Sequence, residues 1–343
     1  MLPSNKTLYV QSSSLMGMDQ FFEEHGLVGT QELIEVGIDA SALSDFTQLI
    51  SFDALNTLML NLAEKTGVES IGTDLALRAP RTLDNIGPLV LVLKLGNTTG
   101  DCVQNALKYV DYLTNGLDVR IIEYPDEQLA EFRYTPFPPV MNTRHLVEHA
   151  LVTARSAMAL LLQDNKILPE RVTFRHSAPR DGAALARHFG CPIEYDAETN
   201  SMFVDQKLLF IETSGTDEQV SQIVYSYLEA EIQKLSKELS AEQLVETAIL
   251  QQLPSGHCSM DLVSKAIGTH PKNLQRRLRE EGTTYADILQ RKREQTAEQL
   301  LEETNMPIKR ISQSCGYSTA TAFNLAFKKW KNMSPQTYRQ STR

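Results

Sequence analysis

The sequence predicts an α+β N-terminal domain followed by an all-α C-terminal domain built from two helix-turn-helix units. Three observations carry this. The hydrophobic period changes along the first two thirds of the chain, from helical spacing to short β-branched runs and back. The charge is split. The 343 residues carry a formal net charge of −10, yet from Ser240 onward 15 Lys and Arg face 10 Asp and Glu, which leaves 18 basic and 33 acidic residues before that point. Finally, one hexapeptide pattern is written twice, "VSKAIG" at 263–268 and "ISQSCG" at 311–316, 48 positions apart. A chain of this length can bury two separate cores.

The N-terminus, "MLPSNKTLYVQSSS", has no basic stretch leading into an apolar core, so no secretory leader is expected. The longest apolar run, "PLVLVL" at 88–93, falls far short of the roughly 20 residues a membrane helix needs, so no membrane association is expected. Residues 31–115 carry helical periodicity. "FDALNTLMLNLAEKTG" aligns Leu55, Leu58 and Leu62 and closes on Gly67, and "TTGDCVQNALKYVDYLTNG" repeats the design up to Asn115 and Gly116. "LDVRIIEYP" and "QLAEFRYTPF" are short, β-branched and aromatic, and read as a strand pair. A long helix follows in "TRHLVEHALVTARSAMALLLQDN", then a strand in "RVTFRHS" and a short helix in "DGAALARHFG". "CPIEYDAETNSMFVD" reads as a hairpin turning near Glu198, Thr199 and Asn200.

A further helix spans 216–239, with Val220, Ile223, Val224, Tyr227 and Leu228 at helical spacing. It can pack on the N-terminal domain, pair with a second chain, or connect. Ser240 and Gln243 then open the next helix as a capping box. The expected division is therefore 1–215, 216–239 and 240–343. The four cysteines at 102, 191, 258 and 315 form no C-x-x-C pair, so neither a zinc cluster nor a disulfide framework is expected, and no cofactor is implied. A basic module on an acidic chain points to a polyanionic partner.

The repeated hexapeptide sharpens that. In a helix-turn-helix the first helix presents a small residue where the second crosses it, and a residue tolerating positive φ opens the turn. Ser264 and Gly268 fit these parts in the first copy, with Pro271 at the first helical position and Leu274 and Leu278 as the buried stripe. Ser312 and Gly316 fit them in the second, with Phe323, Phe327 and Trp330 as the stripe. The outward faces then show Lys272, Asn273, Gln275, Arg276 and Arg279 on one helix, and Thr319, Thr321, Asn324 and Lys328 on the other. Asn, Gln and Arg can make bidentate contacts to base edges, whereas Lys and Thr more often meet phosphates. Either face alone could also be an ordinary solvated surface. Between the copies runs a helix opened by Thr284 and Asp287. About 20 helical residues span roughly 30 Å, close to the roughly 34 Å between successive major-groove faces.

With "NLQRRLREEGTTYADIL" and "PIKRISQSCGYSTATAFNLAFKKWKNMSPQTYR" at this spacing, residues 240–343 resemble the DNA-binding domain of the AraC/XylS family of bacterial transcription regulators. The resemblance implies double-stranded DNA and RNA polymerase as partners, a cytoplasmic location and no enzymatic activity. Three departures stand out: Leu325 where the family usually has Arg, His270 where a Ser usually caps the first reading helix, and Asn332 for the customary Gly after Trp330. Over roughly 20–210, "LISFDALNTLMLNLAEKTG", "IGPLVLVLKLGNTTGDCVQNALKYV" and "HFGCPIEYDAETNSMFVD" resemble the sensing domain of the ornithine-utilisation-regulator-like branch. That implies a small-molecule effector and a homodimer.

For an anionic effector the candidates are Arg78, Arg133, Tyr134 and His145, with Arg81 and His176 weighed beside them; surface ion pairs are the ordinary alternative. Arg133 and Tyr134 are adjacent on a strand, so at most one faces any given pocket. Two other readings differ in class. A regulator can answer to a protein partner or to dosage, and a DNA-binding domain can be fused to a cysteine-based alkyl-repair enzyme. The second needs a zinc-holding cysteine cluster, and Cys102 and Cys191 stand alone. The sequence also lacks a His-Glu-x-x-His pattern, a Gly-rich phosphate loop and a nucleophile elbow.

Overall fold

A computed structural model of the chain describes residues 8–79, 89–136, 142–164, 168–213, 218–238, 240–253, 258–303 and 306–341. Arg81, Pro88 and the expected helix ends at Thr216 and Leu239 lie outside the described residues. Two compact units emerge, one dominated by Leu8–Pro136 and Thr143–Lys234, the other by Leu235–Arg343.

In the first unit β1 (Tyr9–Gln11) precedes α1 (Met18–His25) and α2 (Gly29–Glu35) and pairs antiparallel with β2 (Leu49–Ser51). This small sheet was not expected, because each strand is only three residues long. α3 (Phe52–Thr66) starts where the Ser51 hydroxyl accepts the Ala54 N–H at 3.2 Å and ends at Gly67, whose φ is 76°. α4 (Ile71–Arg78), α5 (Leu89–Val92) and α6 (Thr99–Leu107) follow. The helix expected to run to Asn115 stops at Leu107. β1 draws the following segment out of helical form: the Gln11 N–H donates to the Leu113 carbonyl at 2.7 Å and the Tyr9 N–H to the Asn115 side-chain oxygen at 2.7 Å.

The larger sheet has β3 (Leu117–Tyr124) and β4 (Leu129–Pro136) as the expected pair, then α7 (Arg144–Leu161), β5 (Arg171–Thr173), α8 (Ala183–Phe189), β6 (Ile193–Glu194) and β7 (Asn200–Asp205). Its strand order is β3-β4-β7-β5-β6. The hairpin expected over 191–205 is therefore not present. β5 lies between its two arms, antiparallel to β7 and parallel to β6. β7 is buried along almost its whole length and so takes a central place, while the two-residue β6 is left at the edge. One face of the sheet buries Phe132, Tyr134 and Met202 against Leu151 of α7 and Leu185 and Phe189 of α8.

α9 (Glu218–Glu238) belongs mainly to this unit. Val224 and Leu228 pack on Leu89, Val92, Leu95 and Tyr112, while Val220, Ile223 and Tyr227 stay exposed. Of the three roles the sequence left open, packing on the N-terminal unit is the one observed.

The second unit is helical: α10 (Ala241–Gln252), α11 (Met260–Ala266), α12 (Pro271–Glu280), α13 (Tyr285–Glu303), α14 (Ile308–Ser314), α15 (Ala320–Lys331) and α16 (Pro335–Ser341). The expected capping box opens α10, with Ser240 N–H to Gln243 Oε1 at 2.8 Å and Gln243 N–H to Ser240 Oγ at 3.0 Å. α13 has 19 residues, about 28 Å of helix. Its first half buries Ile288 and forms ion pairs with α10, Arg291 with Glu242 and Glu246 and Lys292 with Glu246. Its second half buries Ala297, Leu300 and Leu301 in a cluster with Ile311, Phe323 and Phe327. There Lys331 meets Glu298 at 2.6 Å, and the Arg293 guanidinium lies 4.6 Å over the Tyr317 ring. No described helix is long and apolar enough to cross a membrane.

Candidate functional site

The two copies of the hexapeptide close in the same way. Gly268 and Gly316 each sit at φ 72°. In the first copy the Gly268 N–H donates to the Lys265 carbonyl at 3.1 Å and the Thr269 N–H to the Ser264 carbonyl at 2.9 Å. In the second, Gly316 bonds to Gln313 at 2.9 Å and Tyr317 to Ser312 at 3.0 Å. This pair of bonds is a Schellman motif, which satisfies the last carbonyls of a helix and needs a left-handed residue. Ser264 and Ser312 are both buried, as the crossing of two helices requires. The turns differ by one residue. α12 begins after His270, two residues past its glycine, and α15 begins after Thr319, three past its own.

Both caps exist. The His270 imidazole accepts the Lys272 N–H at 3.3 Å, a stretched bond, and the Thr319 hydroxyl accepts the Ala322 N–H at 3.2 Å. α12 then buries Leu274 and Leu278 and exposes Lys272, Asn273, Gln275, Arg276 and Arg279. α15 buries Phe323 and Phe327 and exposes Thr321, Asn324 and Lys328. All nine positions expected to face outward are exposed, although Thr319 spends its oxygen on the cap. Thr321, Asn324, Leu325 and Lys328 line one shallow depression beside Pro335 and Gln336. Leu325 is 69% exposed on this face, and Asn332 ends α15 at φ 57°, the left-handed role a Gly would fill.

The four effector candidates are not brought together. Arg78 ends α4 between Glu24 and Asp74, each at 2.7 Å, with its guanidinium 5.6 Å from the Phe21 ring. Arg133 grips the buried Glu131 at 2.7 Å through both Nε and Nη2. Burial pushes the Glu131 carboxyl up, but Arg133, Ser201 and Tyr124 outweigh it and hold it below the usual range. Tyr134, on the other side of the strand, faces inward.

His145 is buried on α7 within a polar cluster the sequence did not signal as one. α4 crosses α7 so closely at Gly72 that a Cβ there would lie 1.9 Å from the His145 carbonyl oxygen. That approach lets the Thr73 hydroxyl reach the fully buried Glu148 carboxylate at 3.1 Å. Arg144 Nε binds the same carboxylate at 3.0 Å and His176 Nε2 lies 3.4 Å from it. Burial pushes the Glu148 carboxyl up to about 7 and the His145 imidazole down to about 4. Among the described residues no group of three or more His, Cys, Asp or Glu is placed to hold a metal.

Two hollows lie in the same unit, between α7 and the sheet. One of about 160 Å³ is lined by Val103, Phe132, Met158, Met202 and Leu209 among others. The second, about 240 Å³, is lined among others by Gln11, Phe52, Thr153 and His149. Leu107, Val119, Tyr134, Ala154 and Ala157 line both. Of the four candidates, Tyr134 alone is a lining residue. His149 and the alanines of α7 were missed; the signal was there in "EHALVTARSAMA", where Ala150, Ala154 and Ala157 share one helical face.

Similarity to known proteins fits this arrangement. Residues 26–210 match the family described as the arabinose-binding domain of AraC transcription regulators, N-terminal, and residues 263–341 match a helix-turn-helix domain. The chain is 25% identical over 283 residues to the HTH-type transcriptional regulator VirS of Mycobacterium tuberculosis, covering 82% of each. It is 23% identical over 318 residues to the ornithine utilization regulator of Pseudomonas aeruginosa, covering 90% of this chain and 92% of that one. The crystal structure of the transcriptional regulator CdpR from Pseudomonas aeruginosa is similar over 90% of this chain and 97% of that chain, with 19% identity and a TM-score of 0.41. The first family match spans more than half of the chain and the second takes in both glycine turns, so the chain belongs to the AraC family of DNA-binding transcription regulators, with an arabinose-binding-type domain ahead of its helix-turn-helix units.

Proposed function

We propose that this regulator is switched by a small molecule held in an N-terminal domain of residues 1–215, which acts through the helix of 216–239 on a DNA-reading domain at 240–343. The observation that carries the reading is the pair of identically closed turns, each launching a helix with hydrogen-bonding side chains outward. Asn273, Gln275, Arg276 and Asn324 are exposed and carry side chains that can bond bidentately to base edges. Lys272, Arg279, Lys328, Thr319 and Thr321 suit phosphates, which position a protein without specifying sequence. A second copy of the chain and RNA polymerase complete the assembly we infer, in the cytoplasm and with no chemical step. A bound molecule switches such a protein only by binding one of its states more tightly than the other.

Arg276 tests the base-reading part. Its side chain is 70% exposed and, among the described residues, pairs only with Glu280 one turn on at 3.4 Å, which leaves the guanidinium able to turn to DNA. Arg276→Ala should weaken binding to a specific duplex by about 1–3 kcal/mol and relax preference at one base pair. Gel shifts on specific and random duplexes at matched salt read this out. Equal losses on both would reassign Arg276 to phosphate and remove it from the readout.

A further inference from the structure

The hollows beside α7 have a chemistry of their own, and it differs from that of a sugar site. Each alone is smaller than the roughly 300–1,000 Å³ of an ordinary ligand pocket, whereas the two together reach that range. They meet at Leu107, Val119, Tyr134, Ala154 and Ala157, and their α7 lining runs from Leu146 to Leu161, about 22 Å along the helix. Small side chains at 150, 154 and 157 keep the helix surface back from the sheet. The space is therefore written into the sequence, one alanine per turn.

Polarity is graded along this cleft. Among the described residues, the smaller hollow is apolar apart from Tyr134 and Thr99, and the Thr99 hydroxyl already donates to the Leu208 carbonyl. The larger one brings Tyr134 and His149 together with Gln11, Ser13, Ser14, Thr114 and Thr153, of which the Thr114 hydroxyl already donates to the Tyr9 carbonyl. Among the described residues, neither the Tyr134 hydroxyl nor the His149 ring has a hydrogen-bond partner. Burial pushes the His149 imidazole down to about 4, so it is neutral near pH 7, and the half-buried residue lines the hollow. Among the described residues, no Asp, Glu, Lys or Arg lines either hollow. A charged ligand would lose its hydration there without a counter-charge, and a pentose would bury hydroxyls that the apolar end cannot match.

We propose that this cleft binds an elongated apolar molecule with one uncharged hydrogen-bonding head, such as a long-chain alcohol, ketone or amide. The tail lies between Met158 and Met202, and the head meets Tyr134 and His149. The inference rests on the reading of the N-terminal domain as the effector-binding one and names the class of that effector.

The test uses the full chain and three probes: 1-decanol, decanoate and L-arabinose, each displacing the apolar dye Nile red and each titrated by calorimetry. 1-Decanol should displace the dye and bind more tightly than decanoate, and arabinose should not bind. Ala157→Leu and, as a milder filling, Ala154→Val should weaken 1-decanol by at least about tenfold while leaving the melting temperature unchanged or raised. Tyr134→Phe and His149→Leu should each weaken 1-decanol several-fold without lowering affinity for the dye. Tighter binding of arabinose or decanoate, or 1-decanol affinity indifferent to both filling variants, overturns the proposal. A gel shift with each probe separates the two claims. If 1-decanol binds in the cleft and leaves DNA affinity unchanged, the ligand class stands and the switching reading falls. If arabinose changes DNA affinity while 1-decanol does not bind, the switching reading stands and the ligand class falls.

Discussion

The two units place their charge in opposite ways. In the N-terminal unit Glu131, Glu148, His145 and Arg155 are all buried; Arg144 pairs with Glu148 within α7, and the Thr73 hydroxyl ties that carboxylate to α4 from inside. In the C-terminal unit Lys272, Arg276 and Arg279 of α12 and Lys328 and Lys329 of α15 stand in solvent, and the ion pairs along α13 are mostly partly exposed, with Lys292 and Glu246 the more buried pair. The core beneath them is aliphatic in the first helix-turn-helix and aromatic in the second. A polyanion can be met only by charge that water also reaches, whereas buried charge acts on the protein's own stability and on what it encloses. The C-terminal unit should therefore answer to packing and to salt, and the N-terminal unit to pH.

The largest effect expected lies in the aromatic cluster. Phe327 is fully buried, with ring centres 5.3 Å from Tyr338 and 6.1 Å from Trp330. Phe327→Ala should cost about 3–5 kcal/mol, a large part of what a unit of this size has. Trp330 is the sole tryptophan of the chain, so its fluorescence reports on this unit alone. In urea the Trp330 transition should shift far down while the transition seen by N-terminal tyrosines holds. If both shift together, the units unfold as one and the contrast between them fails.

Next in size is the buried Glu148. Its carboxyl is pushed up to about 7 from an ordinary 4.5. Below about pH 4.5 it is protonated in both folded and unfolded chains and costs nothing. From about pH 4.5 upward the unfolded chain releases the proton while the folded one keeps it, so stability is lost progressively until pH passes about 7, by up to about 3 kcal/mol in all. Glu148→Gln removes that loss and keeps an oxygen for Arg144. The variant's advantage in melting temperature should be small at pH 5 and grow toward pH 8, with the Trp330 transition unaffected. Parallel curves for variant and wild type would show that Arg144 and Thr73 already carry the carboxylate.

The C-terminal unit was legible in the sequence because its determinants are local: a small residue, a left-handed glycine and an i, i+4 stripe all fall within about 20 residues. The N-terminal unit was legible only in pieces. Its strands β3 and β4 are neighbours in the chain, and the alternation of Phe132 and Tyr134 against Glu131 and Arg133 marks two faces. Nothing local says that β5 inserts beside β7 or that Gly72 lets Thr73 reach Glu148. Each depends on segments brought together by the fold. The cleft was missed because an alanine reads as neutral when its neighbours across the sheet are unknown.

The twin turns offer a finer comparison within the C-terminal unit. Alanine at Gly268 would meet no atom within 4 Å, so Gly268→Ala should cost only the left-handed strain, about 1–2 kcal/mol. At Gly316 the same Cβ would stand 3.1 Å from Leu253 Cδ2 and 3.2 Å from its carbonyl oxygen, beside Arg293. Gly316→Ala should therefore cost more than its twin, by whatever moving Leu253 costs. Chemical denaturation of the two variants, read by Trp330, checks the order. Equal costs would mean that Leu253 yields freely.

The smallest effect expected concerns Leu325, the exception to the rule that this unit turns charge outward. It is 69% exposed and shares its depression with Asn324 and Lys328, so a residue there is placed to meet whatever those two meet. Leucine can offer a thymine methyl an apolar contact but gives nothing to a phosphate. Leu325→Arg should then strengthen binding to random duplex and steepen the salt dependence by up to about one unit of slope, since one more phosphate is neutralised. On a specific site the two contributions oppose each other, because the added charge gains while the methyl contact is lost. Salt titrations of both proteins on random and specific duplexes separate them. A steeper slope on random DNA with weaker specific binding assigns Leu325 to base reading. A steeper slope with stronger binding on both assigns the position to the backbone. An unchanged slope on both would mean that this face of α15 does not meet DNA, and the match between its exposed side chains and the groove would have to be given up.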